Sequence, residues 1–249
     1  MRPALEYRDA KPHKFWWIHA QGSDFAVNYG KAGSVGTYEV KSFDDASACL
    51  QAAQQLLMQK LKKGYATAPG FDFDARLYFD DEETGLHPLT AHPRFAAHFS
   101  SGLYYDCVDE EAPFGSDEGS DTLDALAEHM RKHGRQGCDG FAQHLVQQMW
   151  DMPYLPPADW SAAQLKAELA RGTEAQDLLL SDQASLAVAL GCAKMAGRLS
   201  PGLQADGLRA LRRIALLAQL QGWGDDGQLS ETLGQIERDL ARFAFIQEE

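Results

Sequence analysis

The chain is short of the features that mark most enzymes and membrane proteins. Its four cysteines, Cys49, Cys107, Cys138 and Cys192, are widely spaced and form no Cys-x-x-Cys pair. They read as reduced thiols, not as a disulfide framework or a zinc site. No apolar run approaches the ~18 residues needed to span a bilayer. The stretch Met1 to Asp9 has no apolar segment behind its charges, so no signal peptide is expected. The chain therefore reads as cytoplasmic, without a membrane partner. Gly-x-Ser-x-Gly, phosphate-loop and dinucleotide glycine patterns are all missing. A non-enzyme without a cofactor is the expectation.

Positive charge is scarce as well, and unevenly placed. The net charge is -13 over 249 residues. Residues 1–68 carry nine Lys/Arg against six Asp/Glu, while residues 69–130 carry two against fifteen. An acidic protein repels polyanions at long range, so contact with DNA or RNA is expected only through residues 1–68.

Hydrophobic periodicity divides the chain. Residues 5–43 read as strands: Phe15-Trp16-Trp17-Ile18-His19 is aromatic and branched, and Gln21-Gly22-Ser23-Asp24 is a hairpin-type turn. Phe25, Val27 and Tyr29 share one face of the next strand. In Thr37 to Phe43, Tyr38 and Val40 alternate with Glu39 and Lys41. A helix follows, with Ser42 or Asp44 as its cap, Gly64 after its end, and Ala46, Leu50, Ala53, Leu57 and Leu61 as the stripe facing the sheet. Lys60, Lys62 and Lys63 crowd its last turn, where the helix dipole favours cations. Residues 70–115 give a weaker pattern, with Phe71 to Asp74 and Arg76 to Phe79 as candidate extended segments. Helices are expected from Ser120 or Asp121 to His133, from Asp139 to Met152, from Ser161 to Gly172, and near 175–197, 202–221 and 228–246, with Pro153, Pro156 and Pro157 as a rigid break. Trp150, Trp160 and Trp223 read as core anchors at helix ends. The fold class is α+β: a small N-terminal antiparallel sheet with one helix over 1–68, an acidic connecting region over 69–115, and a mainly helical domain over 116–249.

The richest motif is Tyr29-Gly30-Lys31-Ala32-Gly33-Ser34-Val35-Gly36. With Phe15-Trp16 before it, the strand Thr37 to Phe43 behind it and Lys62-Lys63-Gly64-Tyr65 closing the helix, this order resembles the WGR domain. That module is named for a Trp-Gly-Arg triplet within W-G-R-x-G-x-x-G. Tyr29 stands at the Trp position and Lys31 at the Arg position. The resemblance covers about a fifth of the chain, and the overall plan looks like that of small, uncharacterised bacterial WGR-domain proteins. It implies a fold and, from the DNA-dependent ADP-ribosyltransferases that carry such domains, contact with DNA ends. Tyr29 would then be a stacking platform and Lys31 a phosphate cation, though lysine lacks arginine's bidentate fork. The candidate anion- or nucleic-acid-binding residues are Tyr29, Gly30, Lys31, Lys41, Lys60, Lys62 and Lys63. The same residues also fit a purely structural role, in which the glycines only permit tight turns.

Other clusters point less far. His87, His92 and His98 lie near many carboxylates, but no two have metal-pair spacing. His129 and His133 stand four apart without an accompanying glutamate. Ser116, Asp117, Ser120 and Asp121 suit a helix N-terminus. The expectation is a binding protein whose basic, aromatic face docks nucleic acid or an acidic protein partner. The alternatives are an acidic immunity- or mimic-like interaction protein, masking of the basic face by residues 69–130, and a metal-dependent hydrolase.

Overall fold

The computed structural model describes residues 1–9, 13–135, 137–223 and 227–243, which form two compact units, Met1–Ala96 and Ala97–Glu249. In the first, strands β1 (Ala4–Arg8), β2 (His13–Gln21), β3 (Asp24–Lys31), β4 (Thr37–Ser42) and β5 (Ala66–Thr67) build an antiparallel sheet in the order β4-β3-β2-β1-β5. Helix α1 (Ala46–Lys62) lies between β4 and β5 in sequence.

Successive side chains on a strand point to opposite faces, and both faces of this sheet are apolar. Leu5, Trp16, Ile18, Phe25 and Val27 form one core with Cys49, Ala53, Leu56 and Leu57 of α1. On the other face, Trp17 is fully buried, with ring centroids 5.8 Å from Tyr38, 5.8 Å from Phe73 and 5.9 Å from Tyr78. Residues 71–81 thus cover the second face. They contain no regular strand, in contrast to the extended segments expected over 71–79. Their backbone is tied down instead by side chains: Tyr38 Oη donates to Leu77 O (2.7 Å), and Tyr78 Oη donates to Phe73 O (3.2 Å). At the sheet edge, Val40 N donates to Asp81 Oδ2 (2.9 Å), which satisfies a group that β4 would otherwise leave unpaired. Residues 69–96, read from sequence as part of a connecting region, belong to this first unit.

Helix α1 corrects two details. Asp45, not Asp44 or Ser42, is its N-cap, accepting from Ala48 N (2.8 Å). The stripe facing the sheet is Cys49, Ala52, Ala53, Leu56 and Leu57, while Leu50 and Leu61 remain 42% and 36% exposed and Ala46 is exposed too. Leu50 lies about 100° around the helix from Cys49, enough to turn it off the sheet.

Helix α2 (Pro93–His98) leads in sequence to the second unit, where α3 (Asp117–His133), α4 (Phe141–His144), α5 (Ala162–Ala170), α6 (Ala175–Ala196), α7 (Pro201–Gln221) and α8 (Gln228–Arg242) follow. Ser116 caps α3, one turn earlier than the expected Ser120 or Asp121. The helix expected over 139–152 is a short α4 followed by a π-helical turn at Leu145–Met149. Residues 244–246, expected at the end of the last helix, lie outside the described residues.

Helix α6 is the core of this unit. It has the length and composition of a membrane span, with a mean hydropathy of 1.2 over its best window, but 89% of that window is buried inside the protein. Small residues let its neighbours approach: a side chain at Gly191 would meet Leu126 of α3 at 2.9 Å, and one at Gly207 of α7 would meet Ala189 at 3.0 Å. The proline-rich break is strapped to this core. Buried Arg213 donates to both oxygens of Asp182 (2.8 and 2.9 Å), to Leu155 O (2.6 Å) and to Pro156 O (2.8 Å). Trp223, expected as a core anchor, is 40% exposed.

In the first unit, burial holds His19 down to about 4, with the charges of Arg2 and the N-terminal amine acting in the same direction. The unfolded chain takes up this proton near 6.5 and the folded chain does not until about 4. The contribution is therefore present above pH 6.5 and lost as pH falls toward 4. Urea midpoints measured across that window should fall with pH more steeply in the wild type than in His19→Gln.

Candidate nucleic-acid interface

Strand pairing brings two lysines together at one end of the sheet. Lys14 lies opposite Lys31 in the β2–β3 register and opposite Tyr7 in the β1–β2 register. Lys14, Trp16, Tyr29 and Lys31 share the face covered by α1, because they fall at alternate positions on paired strands. From α1, Lys60 reaches into this corner. Its Nζ stands 5.5 Å from the centroid of the Trp16 ring, 5.7 Å from Tyr29 and 5.5 Å from Tyr65. Tyr65 in turn packs on Tyr7 at 5.4 Å.

Burial lowers the Lys60 pKa, and the charges of Lys63 and Lys14 add to that effect, while Glu39 opposes it. A cation among three rings is attracted by their faces, worth about 0.5–1 kcal/mol when exposed and more when desolvated. Tyr29 is half-buried, and its hydroxyl donates to the Glu39 carboxylate. That bond and partial burial raise the tyrosine's pKa. Tyr29 is thus a ring fixed by Glu39 beside Lys60, not a free-standing platform.

The sequence-derived residues separate into groups. Tyr29, Lys31, Lys60 and Lys63 gather at this corner. Lys41 lies opposite Phe25, six residues along β3 from Lys31, which is about 20 Å at strand spacing. Lys62 sits about 200° around α1 from Lys60, beside Gln51, Gln55 and Met58. Gly30 has a steric role, since a side chain there would meet Ser34 Oγ at 2.9 Å and Gly36 Cα at 3.0 Å. Lys14, Tyr7 and Tyr65 were not among the candidate binding residues, although Tyr65 closes the motif read from sequence. Their signal is the strand register, which places Lys14 beside Lys31.

The glycine loop between β3 and β4 is held from two sides. Asn28 Nδ2 donates to Val35 O and Thr37 O (3.1 Å each), and Arg76 Nη2 donates to Ser34 O (2.7 Å) while its guanidinium lies 4.3 Å from the Phe15 ring centroid. An arginine from the covering segment thus meets the loop next to a signature that has lysine at its own third position.

The histidines are individually engaged. His92 Nε2 donates to Asp74 O (3.1 Å), His87 Nδ1 accepts from Leu89 N (3.1 Å), and His98 Nε2 donates to Asp239 O (2.7 Å). The His129 and His133 rings stack at 4.7 Å, with Phe141 against His129 at 4.8 Å. Among the described residues, no group of three histidines, cysteines or carboxylates is arranged to hold a metal ion.

This sheet, helix and glycine loop are those of a WGR domain, whose family model matches residues 1–72. Beyond that module, the chain is 42% identical over 243 residues to the uncharacterized protein YfeS of Escherichia coli (strain K12), covering 98% of each, and it belongs to that family of WGR-domain proteins. A second E. coli (strain K12) protein, YehF, is 42% identical over 59 residues, which is 24% of this chain and 22% of its own. A solved structure from Bacteroides fragilis shares 25% identity over 53% of this chain and 39% of its own, with a TM-score of 0.27.

The loop glycines should differ sharply in tolerance. Gly33 has φ +85° in open space, whereas at Gly36 (φ +79°) a Cβ would meet Phe15 at 2.6 Å and Asn28 at 2.8 Å. Gly33→Ala should cost about 1 kcal/mol from backbone strain alone, and Gly36→Ala about 3 kcal/mol or more once overpacking is added. Urea unfolding of the two variants checks this.

Proposed function

We propose that this protein is a non-enzymatic nucleic-acid-binding protein, and that the corner of the WGR domain formed by Lys14, Lys31, Lys60 and Lys63 with Tyr7, Tyr29 and Tyr65 docks the phosphate backbone. The observation that carries this reading is Lys60, a cation held among three aromatic rings and flanked by further lysines. WGR domains are often nucleic-acid-binding modules, which supports the same partner class. Each lysine supplies phosphate attraction, and the rings supply apolar surface against sugar and base. Because the chain as a whole carries -13, binding has to be local and steeply salt-dependent.

Residues 71–81 pack on the sheet face away from this corner. That part of the acidic segment acts as a structural cover for Trp17. Tyr29 contributes a partly exposed ring held by Glu39, a more limited role than the stacking tryptophan of the family signature.

Fluorescence anisotropy of the full chain with labelled single-stranded DNA, duplex DNA and RNA across a salt series tests the proposal. Replacing Lys14, Lys31 and Lys63 together by alanine should weaken binding and reduce the slope of log K against log salt by about 2 to 3. Lys41→Ala should leave both unchanged. If none of the three nucleic acids binds at about 50 mM salt, the reading fails and an acidic protein surface becomes the partner to seek.

A further inference from the structure

Helix α1 has a second face that the sheet does not use. Ser47, Leu50, Gln51, Gln54, Met58 and Leu61 all lie exposed on it, and Met58 is the most exposed of the apolar ones at 54%. No Asp, Glu, Lys, Arg or His occurs between Ala46 and Gln59. In a chain with 24% charged residues, an exposed helix of that length would ordinarily carry several. The rows Gln51-Gln55-Gln59 and Gln54-Met58-Lys62 bound a shallow groove of about 360 Å³, of the kind into which a neighbouring helix sets its own ridge.

We infer that this face pairs with the same face of a second copy, as an antiparallel helix pair with its two-fold axis at Gln54. The residue order argues for a self-partner. Ser47, Leu50, Gln54, Met58 and Leu61 are spaced 3-4-4-3, which reads the same in both directions. A two-fold through Gln54 sets Leu50 against Met58 of the other copy, Ser47 against Leu61, and the two Gln54 amides against each other, where each can donate and accept. It also sets Asp44, just before the start of one helix, toward the end of the other that carries Lys62. The neutral centre spares two -13 chains direct repulsion at the contact, and the charged ends attract. A parallel arrangement would oppose like ends and lose the Leu50–Met58 match. One 17-residue helix, about 25 Å long, gives a small interface, so the dimer is a weak, concentration-dependent one.

Sedimentation equilibrium of the full chain should show a monomer–dimer equilibrium within the range up to about 0.5 mM. Leu50→Glu combined with Met58→Glu, both on the exposed face, should raise the dissociation constant about ten-fold or more while leaving the far-UV circular dichroism unchanged. Position is tested by cysteine cross-linking in a Cys107→Ser background, since Cys107 is exposed. Under mild oxidation Gln54→Cys should form a covalent dimer, whereas Ser47→Cys should not, because its two copies would stand about 21 Å apart. A chain that stays monomeric throughout the range overturns the inference, and so does cross-linking at position 47 as fast as at 54.

Discussion

Two consecutive tryptophans set the terms for the first unit. Because a strand turns each residue to the opposite face of its predecessor, Trp16 and Trp17 cannot share a core. Each is buried, and each needs its own cover. Helix α1 supplies one, and residues 71–81, pinned through Tyr38, Tyr78 and Asp81, supply the other. The sheet is therefore a middle layer, which is why a segment with the look of an acidic connection is built into the domain. Its carboxylates bind nearby groups, Asp72 and Asp81 backbone N–H groups and Asp80 the Thr90 hydroxyl, while its aromatic residues do the covering.

The same alternation builds the candidate interface. Lys14 and Lys31 extend the rows of apolar residues beneath α1 past the end of the core, where the helix terminates and Lys60 turns inward among Trp16, Tyr29 and Tyr65. Positive charge concentrates where the apolar contact stops. Desolvation lowers the Lys60 pKa and Glu39 opposes it only in part, while the ring faces attract the cation in a site partly shielded from water. The second unit solves a comparable problem with a buried charge: Arg213 is held by Asp182 and by two carbonyls of the proline-rich strap, so the guanidinium is satisfied on several sides.

Much of this was legible in one dimension. The alternation in Phe25 to Tyr29 and Tyr38 to Lys41, the glycine spacing of the loop, and the helical repeats of the second unit each reflect a local backbone period, so strands, loop and helices stand near where the sequence puts them. Helix α1 shows where a period is insufficient. Steps of three and four through Ala46, Leu50, Ala53, Leu57 and Leu61 give one stripe, but the sheet shares only Ala53 and Leu57 with it and takes Cys49, Ala52 and Leu56 in place of the rest. Cys49 and Ala53, both small, are buried in the same core as Trp16 and Val27. Residues 71–81 were opaque for a different reason, since their structure comes from side-chain contacts to a distant sheet and leaves no repeating pattern.

The sequence by itself determined the class of fold, the WGR-type loop and the excess of basic over acidic residues in the first 68, because these follow from local backbone preference and composition. Only the tertiary structure decided which charges lie together. Register set Lys14 beside Lys31, helix rotation turned Lys60 inward and Lys62 outward, and strand length carried Lys41 to the far end. Those outcomes depend on pairing and packing between segments distant along the chain, which no local pattern encodes.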